Sequence, residues 1–182
     1  MTIKNKRLLF ISIQGSFQNF EISLFDNKNI LASIQKKAVR ASSILIPEIE
    51  NLLKKHGLSS TMCYGDLEGK STRSLTNGWC DERFHKDLIT HYTRHIKLVS
   101  EAGWTNLICF SGNRRGMSDK EGMENCIRGL NQIIPIAEEY GVILHMELLN
   151  SKVDHSDYMC DNSNWGVALC KELDSDNFKL LY

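Results

Sequence analysis

The sequence predicts an α/β fold of parallel strand-helix units, preceded by a small antiparallel β-meander with one packing helix. Three observations carry this. From Glu82 onward the pattern runs helix, strand, helix, strand, helix, strand, the order that builds right-handed parallel β/α units. Val142-Ile-Leu-His-Met-Glu-Leu-Leu149 is largely apolar on both faces, as a parallel strand covered by helices should be. Residues 7 to 36, by contrast, hold three short strand-like runs separated at hairpin distances.

The first of those runs is Leu8-Leu-Phe-Ile-Ser-Ile-Gln14, the second Phe20-Glu-Ile-Ser-Leu-Phe25 and the third Ile30-Leu-Ala-Ser-Ile-Gln35. Gly15-Ser16 and Asp26 to Asn29 supply the turns between them. Ser42 or Ser43 then opens an amphipathic helix with Leu45, Ile49, Leu52 and Leu53 on one face. Pro47 falls in its first turn or so, where a proline is tolerated, and Lys54-Lys55-His56-Gly57 ends it. Composition and pattern change across Leu58 to Thr61, so the expected division is a first unit over 1–58 and a second over 59–182.

In the second unit, residues 65 to 81 read as polar loop, with Asn77-Gly78 a turn signal. A helix follows from about Glu82 to Ala102, its stripe made by Phe84, Leu88, Ile89, Tyr92, Ile96 and Val99. His85, His91 and His95 lie in it and read as solvated or packed side chains. Trp104 to Ser111 is a strand that opens into the loop Gly112-Asn113-Arg114-Arg115-Gly116. Ser118 or Asp119 caps the next helix, which runs to Tyr140-Gly141 but contains Pro135, a residue that kinks a helix or ends its first part. After the 142–149 strand come a polar segment, a helix over Asn164 to Leu173, and a last strand beginning at Phe178.

Composition narrows the function. The chain has 182 residues, with 22 basic and 22 acidic side chains and no basic tract, so neither nucleic acid nor a membrane surface is an expected partner. The basic amino terminus lacks a signal-peptide h-region, and no run is long enough to span a bilayer. Six cysteines without CxxC spacing read as reduced thiols, which points to the cytoplasm. The residue that needs explaining is Glu147. A carboxylate among apolar neighbours is costly unless paired or bound to a cation, and the carboxyl ends of parallel strands are where active sites gather.

Residues of about 7 to 57 resemble the amino-terminal part of the accessory subunit of the tRNA threonylcarbamoyladenosine machinery, a protein of the actin-like ATPase fold. The resemblance rests on the first two strands, the turn at Asp26 and Leu45-Ile46-Pro47-Glu48-Ile49-Glu50-Asn51-Leu52-Leu53. Ser12 stands where that fold usually has an Asp near the phosphates, and Ala41-Ser42 replaces a His-Ser pair, so nucleotide binding is not implied. This block implies a non-catalytic interaction protein, or a junction of two fragments near Ser59.

Residues of about 74 to 182 resemble the hydroxypyruvate isomerase family of sugar-isomerase-like TIM barrels. The carrying motifs are Leu75-Thr-Asn-Gly-Trp-Cys-Asp81, Asn106-Leu-Ile-Cys-Phe-Ser-Gly-Asn113, Met146-Glu-Leu-Leu-Asn150 and Asn177-Phe-Lys-Leu-Leu-Tyr182. The resemblance implies a partial TIM barrel that interconverts hydroxypyruvate and 2-hydroxy-3-oxopropanoate, with Glu147 as both proton-transfer residue and ligand of Mg²⁺ or Mn²⁺. Asn113, Asn150 and His155 are expected on loops at the same mouth. In that family the strand matching the one that begins at Phe178 continues into an Asp-containing metal-binding segment and later strands supply further ligands, whereas this sequence stops at Tyr182. A cation held by one carboxylate would be weakly bound, and activity would call for self-association or a partner chain.

Overall fold

The computed structural model describes residues 74–182, a two-residue strand at Cys63–Tyr64, and helical positions at 51, 54 and 55. The meander and most of its helix, expected over 1–58, lie outside the described residues. Among the described residues, four parallel strands form one sheet in the order β1, β2, β3, β4, namely Cys63–Tyr64, Asn106–Cys109, Ile143–Glu147 and Phe178–Leu181. Strand order equals chain order, with a helical crossover before each of the last three strands. This is the open arc of a β/α barrel rather than a doubly wound sheet.

The crossovers follow local sequence logic. Asp81 accepts a hydrogen bond from the Arg83 amide and opens a 3₁₀ turn over Glu82–Phe84, which leads into α1 (His85–Glu101). The expected single helix from 82 therefore begins with a tighter turn. Of the expected stripe Leu88, Tyr92, Ile96 and Val99 are buried and Phe84 and Ile89 half-buried against the core, and His85 and His95 join them as packed side chains.

Ser118 caps α2 (Asp119–Leu130) by accepting from the Glu121 amide. Pro135 resolves the conflict seen in the sequence by splitting the expected helix. α2 stops at Leu130, and α3 (Ile134–Glu139) restarts with proline in its first turn, where its missing N–H is not needed. Asn162 caps α4 (Ser163–Leu173) through the Trp165 amide.

Alternation along the strands divides the sheet into two faces. Leu107 and Cys109 of β2, Leu144 and Met146 of β3, and Phe178 of β4 are buried on the helical side. Each large one contributes about 1.5–3 kcal/mol relative to exposure. Asn106, His145 and Glu147 lie on the opposite, inward face and are half-buried. A hydrogen bond of 2.8 Å between His145 Nε2 and Asn106 Oδ1 confirms the shared side.

Beyond the strands, the loop before the 3₁₀ turn pairs with the continuation of β2. Trp79 and Cys80 donate to the Phe110 and Ser111 carbonyls at 3.1 and 2.7 Å, and Asn113 donates to Thr76 at 3.1 Å. Two glycines make this approach feasible. A Cβ on Gly78 would sit 2.3 Å from the Phe110 carbonyl oxygen, and one on Gly112, at φ +88°, would sit 2.4 Å from the Gly78 nitrogen. Gly78→Ala should therefore destabilise the fold by about 3 kcal/mol, read as a lower midpoint in urea unfolding; an unchanged midpoint would mean that the two backbones separate at no cost.

Candidate functional site

Glu147 is the last residue of β3, so its side chain stands on the inward face at the carboxyl end of the sheet. Two positions earlier on the same face is His145. Burial holds its imidazole below the ordinary value, partly offset by a hydrogen bond to the Leu180 backbone, so at neutral pH it is an uncharged polar group beneath the carboxylate.

The backbone around Glu147 is fixed by a side chain from another loop. Tyr158, buried at 1 % exposure, donates its hydroxyl proton to the Glu147 carbonyl at 2.9 Å. The Tyr158 hydroxyl oxygen in turn accepts from the Ser111 amide at 3.0 Å. Burial, first among the causes, pushes this phenol well above its usual pKa, so it remains a donor.

The 157–161 segment is fastened across the mouth. Met159 donates to the Gly112 carbonyl, Cys160 to Ser111 Oγ, and Arg114 to the Asp157 carbonyl through its amide. The Arg114 guanidinium donates to the Tyr158 and Met159 carbonyls at 3.2 and 3.0 Å and pairs with Asp161 at 3.2 Å and with Asp119.

The three other residues expected on loops at the mouth lie on the loops after β2 and β3, and their hydrogen bonds are made among loop residues. Asn113 forms an antiparallel bridge with Tyr158, and its carbonyl accepts from Cys80 Sγ at 3.2 Å. Asn150 builds a turn: its Oδ1 accepts from the Lys152 amide and its carbonyl from the Asp154 and His155 amides. It also lines a groove of about 540 Å³ with Ser151, Asp161, Asn162 and Tyr182, which Glu147 does not line. His155 packs its ring 6.5 Å from Tyr158. None of the three side chains is brought to Glu147 by a hydrogen bond. In the sequence, only the two-residue spacing from Glu147 points to His145, and nothing local points to Tyr158.

As an oxygen ligand, Glu147 suits a hard divalent cation, but one carboxylate is not a shell. Among the described residues no group of three or more His, Cys, Asp and Glu side chains is arranged to hold a metal ion. The thiols do not change this. Burial pushes Cys80 and Cys160 up to about 12 and Cys109 and Cys126 well above their ordinary value, and Cys80, Cys109, Cys126, Cys160 and Cys170 are free. No described helix is long and apolar enough to cross a membrane.

The sequence profile described as xylose isomerase-like TIM barrel matches residues 16–182. The chain belongs to the xylose isomerase-like TIM barrel family. Among solved structures of this architecture, D-psicose 3-epimerase from Clostridium cellulolyticum aligns at 20 % identity and a TM-score of 0.59, over 77 % of this chain and 48 % of that one. The 3-keto-D-glucoside 4-epimerase YcjR from E. coli aligns at 16 % identity and a TM-score of 0.60, over 88 % and 65 %. An IOLI protein with a bound zinc atom aligns at 14 % and 0.56, over 74 % and 45 %.

The chain thus spans about half the length of the first of these structures, and the likeness shows a shared fold. Comparison with curated protein sequences gives no match. The xylose isomerase-like match includes both sides of the junction expected near Ser59. The actin-like resemblance of residues 7 to 57 finds no support, and the hydroxypyruvate isomerase resemblance is supported only at the level of the wider family.

One charged cluster beside the mouth has a pH signature. Asp81, 4 % exposed, accepts from Arg83 Nε and Nη2 at 2.9 and 2.6 Å and from Arg115 Nη1 at 3.3 Å. The Arg83 hydrogen bond chiefly holds its carboxyl below the ordinary value. A carboxyl with a depressed folded pKa contributes stability above its unfolded value of about 3.9 and loses it as the pH falls through the folded value. The stability difference between wild type and Asp81→Asn should therefore be largest near neutral pH and shrink below about pH 4, as urea midpoints across pH will show. A constant difference would remove Asp81 from the acid limb.

Proposed function

We propose that this chain carries part of the active site of a sugar isomerase or epimerase, with Glu147 as its proton-transfer or cation-binding carboxylate. The observation that carries the reading is the position of Glu147: the inward face of a barrel strand, at the carboxyl end, with its peptide anchored on both flanks. The shared chemistry of this class is removal of a proton from a carbon beside a carbonyl and its return. Return to the neighbouring carbon, with the carbonyl exchanged, is isomerisation. Return to the opposite face of the same carbon is epimerisation.

The substrate is then a small hydroxy-carbonyl compound. The motif resemblance favours hydroxypyruvate, while the names of the similar structures favour ketose epimerisation as a second reading. A divalent cation such as Mg²⁺ or Mn²⁺, when bound, would polarise the carbonyl and hydroxyl oxygens of the substrate. Glu147 fits it as one ligand. The remaining oxygen ligands would come from outside the described residues, from a second copy or from another chain, and binding to Glu147 alone would be weak. His145 gives the floor beneath the carboxylate an uncharged imidazole locked to Asn106, which sets polarity without adding a competing charge.

The test is a paired assay of hydroxypyruvate isomerisation and ketohexose 3-epimerisation with added Mn²⁺, on wild type and Glu147→Gln. Turnover of either substrate that falls at least about a hundredfold in the variant supports the reading and selects the substrate class. Equal turnover in both proteins excludes Glu147. Counting bound Mn²⁺ in the same samples separates a ligand, whose loss releases the ion, from a base, whose loss does not.

A further inference from the structure

We propose that Tyr158 is a positioning residue for Glu147: its hydroxyl is inserted into the β2–β3 ladder at the level of the carboxylate and sets the width of the mouth there. The inference deepens the proposed function and rests on the reading of Glu147 given above.

The phase of the sheet hydrogen bonds carries the argument. In a parallel strand, alternate residues direct both N–H and C=O to one neighbour, and the intervening residues direct theirs to the other. Ile143 donates to the Thr105 carbonyl at 2.7 Å, so the odd residues of β3 face β2. Leu144 donates to Asn177 at 2.8 Å and Leu148 to Leu181 at 3.1 Å, so the even residues face β4. With Cys109 level with Met146 in the register, the next rung toward β2 would run from the Ser111 amide to the Glu147 carbonyl.

That rung is not direct. Ser111 donates to the Tyr158 hydroxyl at 3.0 Å, and the hydroxyl donates to the Glu147 carbonyl at 2.9 Å. One oxygen atom occupies the rung. The insertion continues outward: Leu149, the next odd residue, donates at 3.3 Å to the Cys160 carbonyl, while the Ser111 carbonyl is taken by Cys80 and Met159 donates to Gly112. Residues 158–160 therefore part the ends of β2 and β3, while the β3–β4 ladder persists past Glu147 through Leu148 and Leu181. The parting begins at the peptide that bears the carboxylate. Tyr158, buried at 1 % exposure, sets where Glu147 points by holding its carbonyl off β2.

Tyr158→Phe keeps the buried ring and removes the inserted oxygen. Tyr92→Phe is the matched control, because Tyr92 is also fully buried and its hydroxyl donates to a β2 carbonyl, that of Ile108, at 3.2 Å. The readouts are the carboxylate ¹³C resonance of Glu147 in glutamate-labelled full-length protein, assigned with Glu147→Gln, and the Mn²⁺ affinity by electron paramagnetic resonance. Tyr158→Phe should move the Glu147 resonance and weaken Mn²⁺ binding by about tenfold, as the loss of a supporting hydrogen bond around a ligand commonly does, while Tyr92→Phe should do neither.

An unmoved Glu147 resonance in Tyr158→Phe, or equal effects from both variants, overturns the proposal. If wild type and Glu147→Gln bind Mn²⁺ alike, the metal reading of Glu147 fails, and the resonance still decides the role of Tyr158. Should Tyr158→Phe not fold, 3-fluorotyrosine at 158, which keeps the hydroxyl and alters its donor strength, must shift the same resonance, and no shift overturns the proposal.

Discussion

The two-residue alternation of β3 is the constraint on which the rest depends. It sends Leu144 and Met146 into the helical layer and His145 and Glu147 to the inward face, so one short strand builds core and site together. A slip of one residue in its register would exchange the two sets, burying a carboxylate among the helices and exposing two large apolar side chains. The pairing to β2 and to β4 opposes that slip from both sides, and the anchored peptide at Glu147 fixes the last step. Stability and chemistry are therefore enforced by the same hydrogen bonds.

Above the strands the loops are not independent of one another. Arg114, from the β2 loop, ties together the Tyr158 and Met159 carbonyls, Asp161 and the first residue of α2. Its charge is spread over carboxylates and carbonyls instead of being aimed at the mouth, which makes it a fastening. Asp81 plays the corresponding part for the preceding loop through Arg83 and Arg115, and the Arg115 guanidinium also lies 5.3 Å from the Phe84 ring centroid.

Much of the fold is legible in the residues because local signals and tertiary demands agree. Ser118 is both a good cap and the observed cap, and the apolar stripe of α1 is the buried stripe. Pro135 marked a break whose form, two helices in succession, followed from the missing N–H. The two-residue strand β1 carries too little periodicity to be seen and exists through its pairing with β2. At the site, Glu147 stood out because a charge in an apolar strand is anomalous. Tyr158 did not, since a tyrosine after a polar loop is unremarkable until the register shows which rung it occupies. Asn150 and His155 lie on the loop after β3 as their polar segment implies, and their hydrogen bonds go into making its turn.

The backbone contact between Gly78 and Gly112 carries a design consequence. Because neither position leaves room for a side chain on the other's account, the two loops after β1 and β2 form one mechanical joint. A graft that transplants either loop alone would meet the wrong partner surface. Remodelling the rim of this barrel therefore means exchanging residues 74–81 and 110–117 as a matched pair.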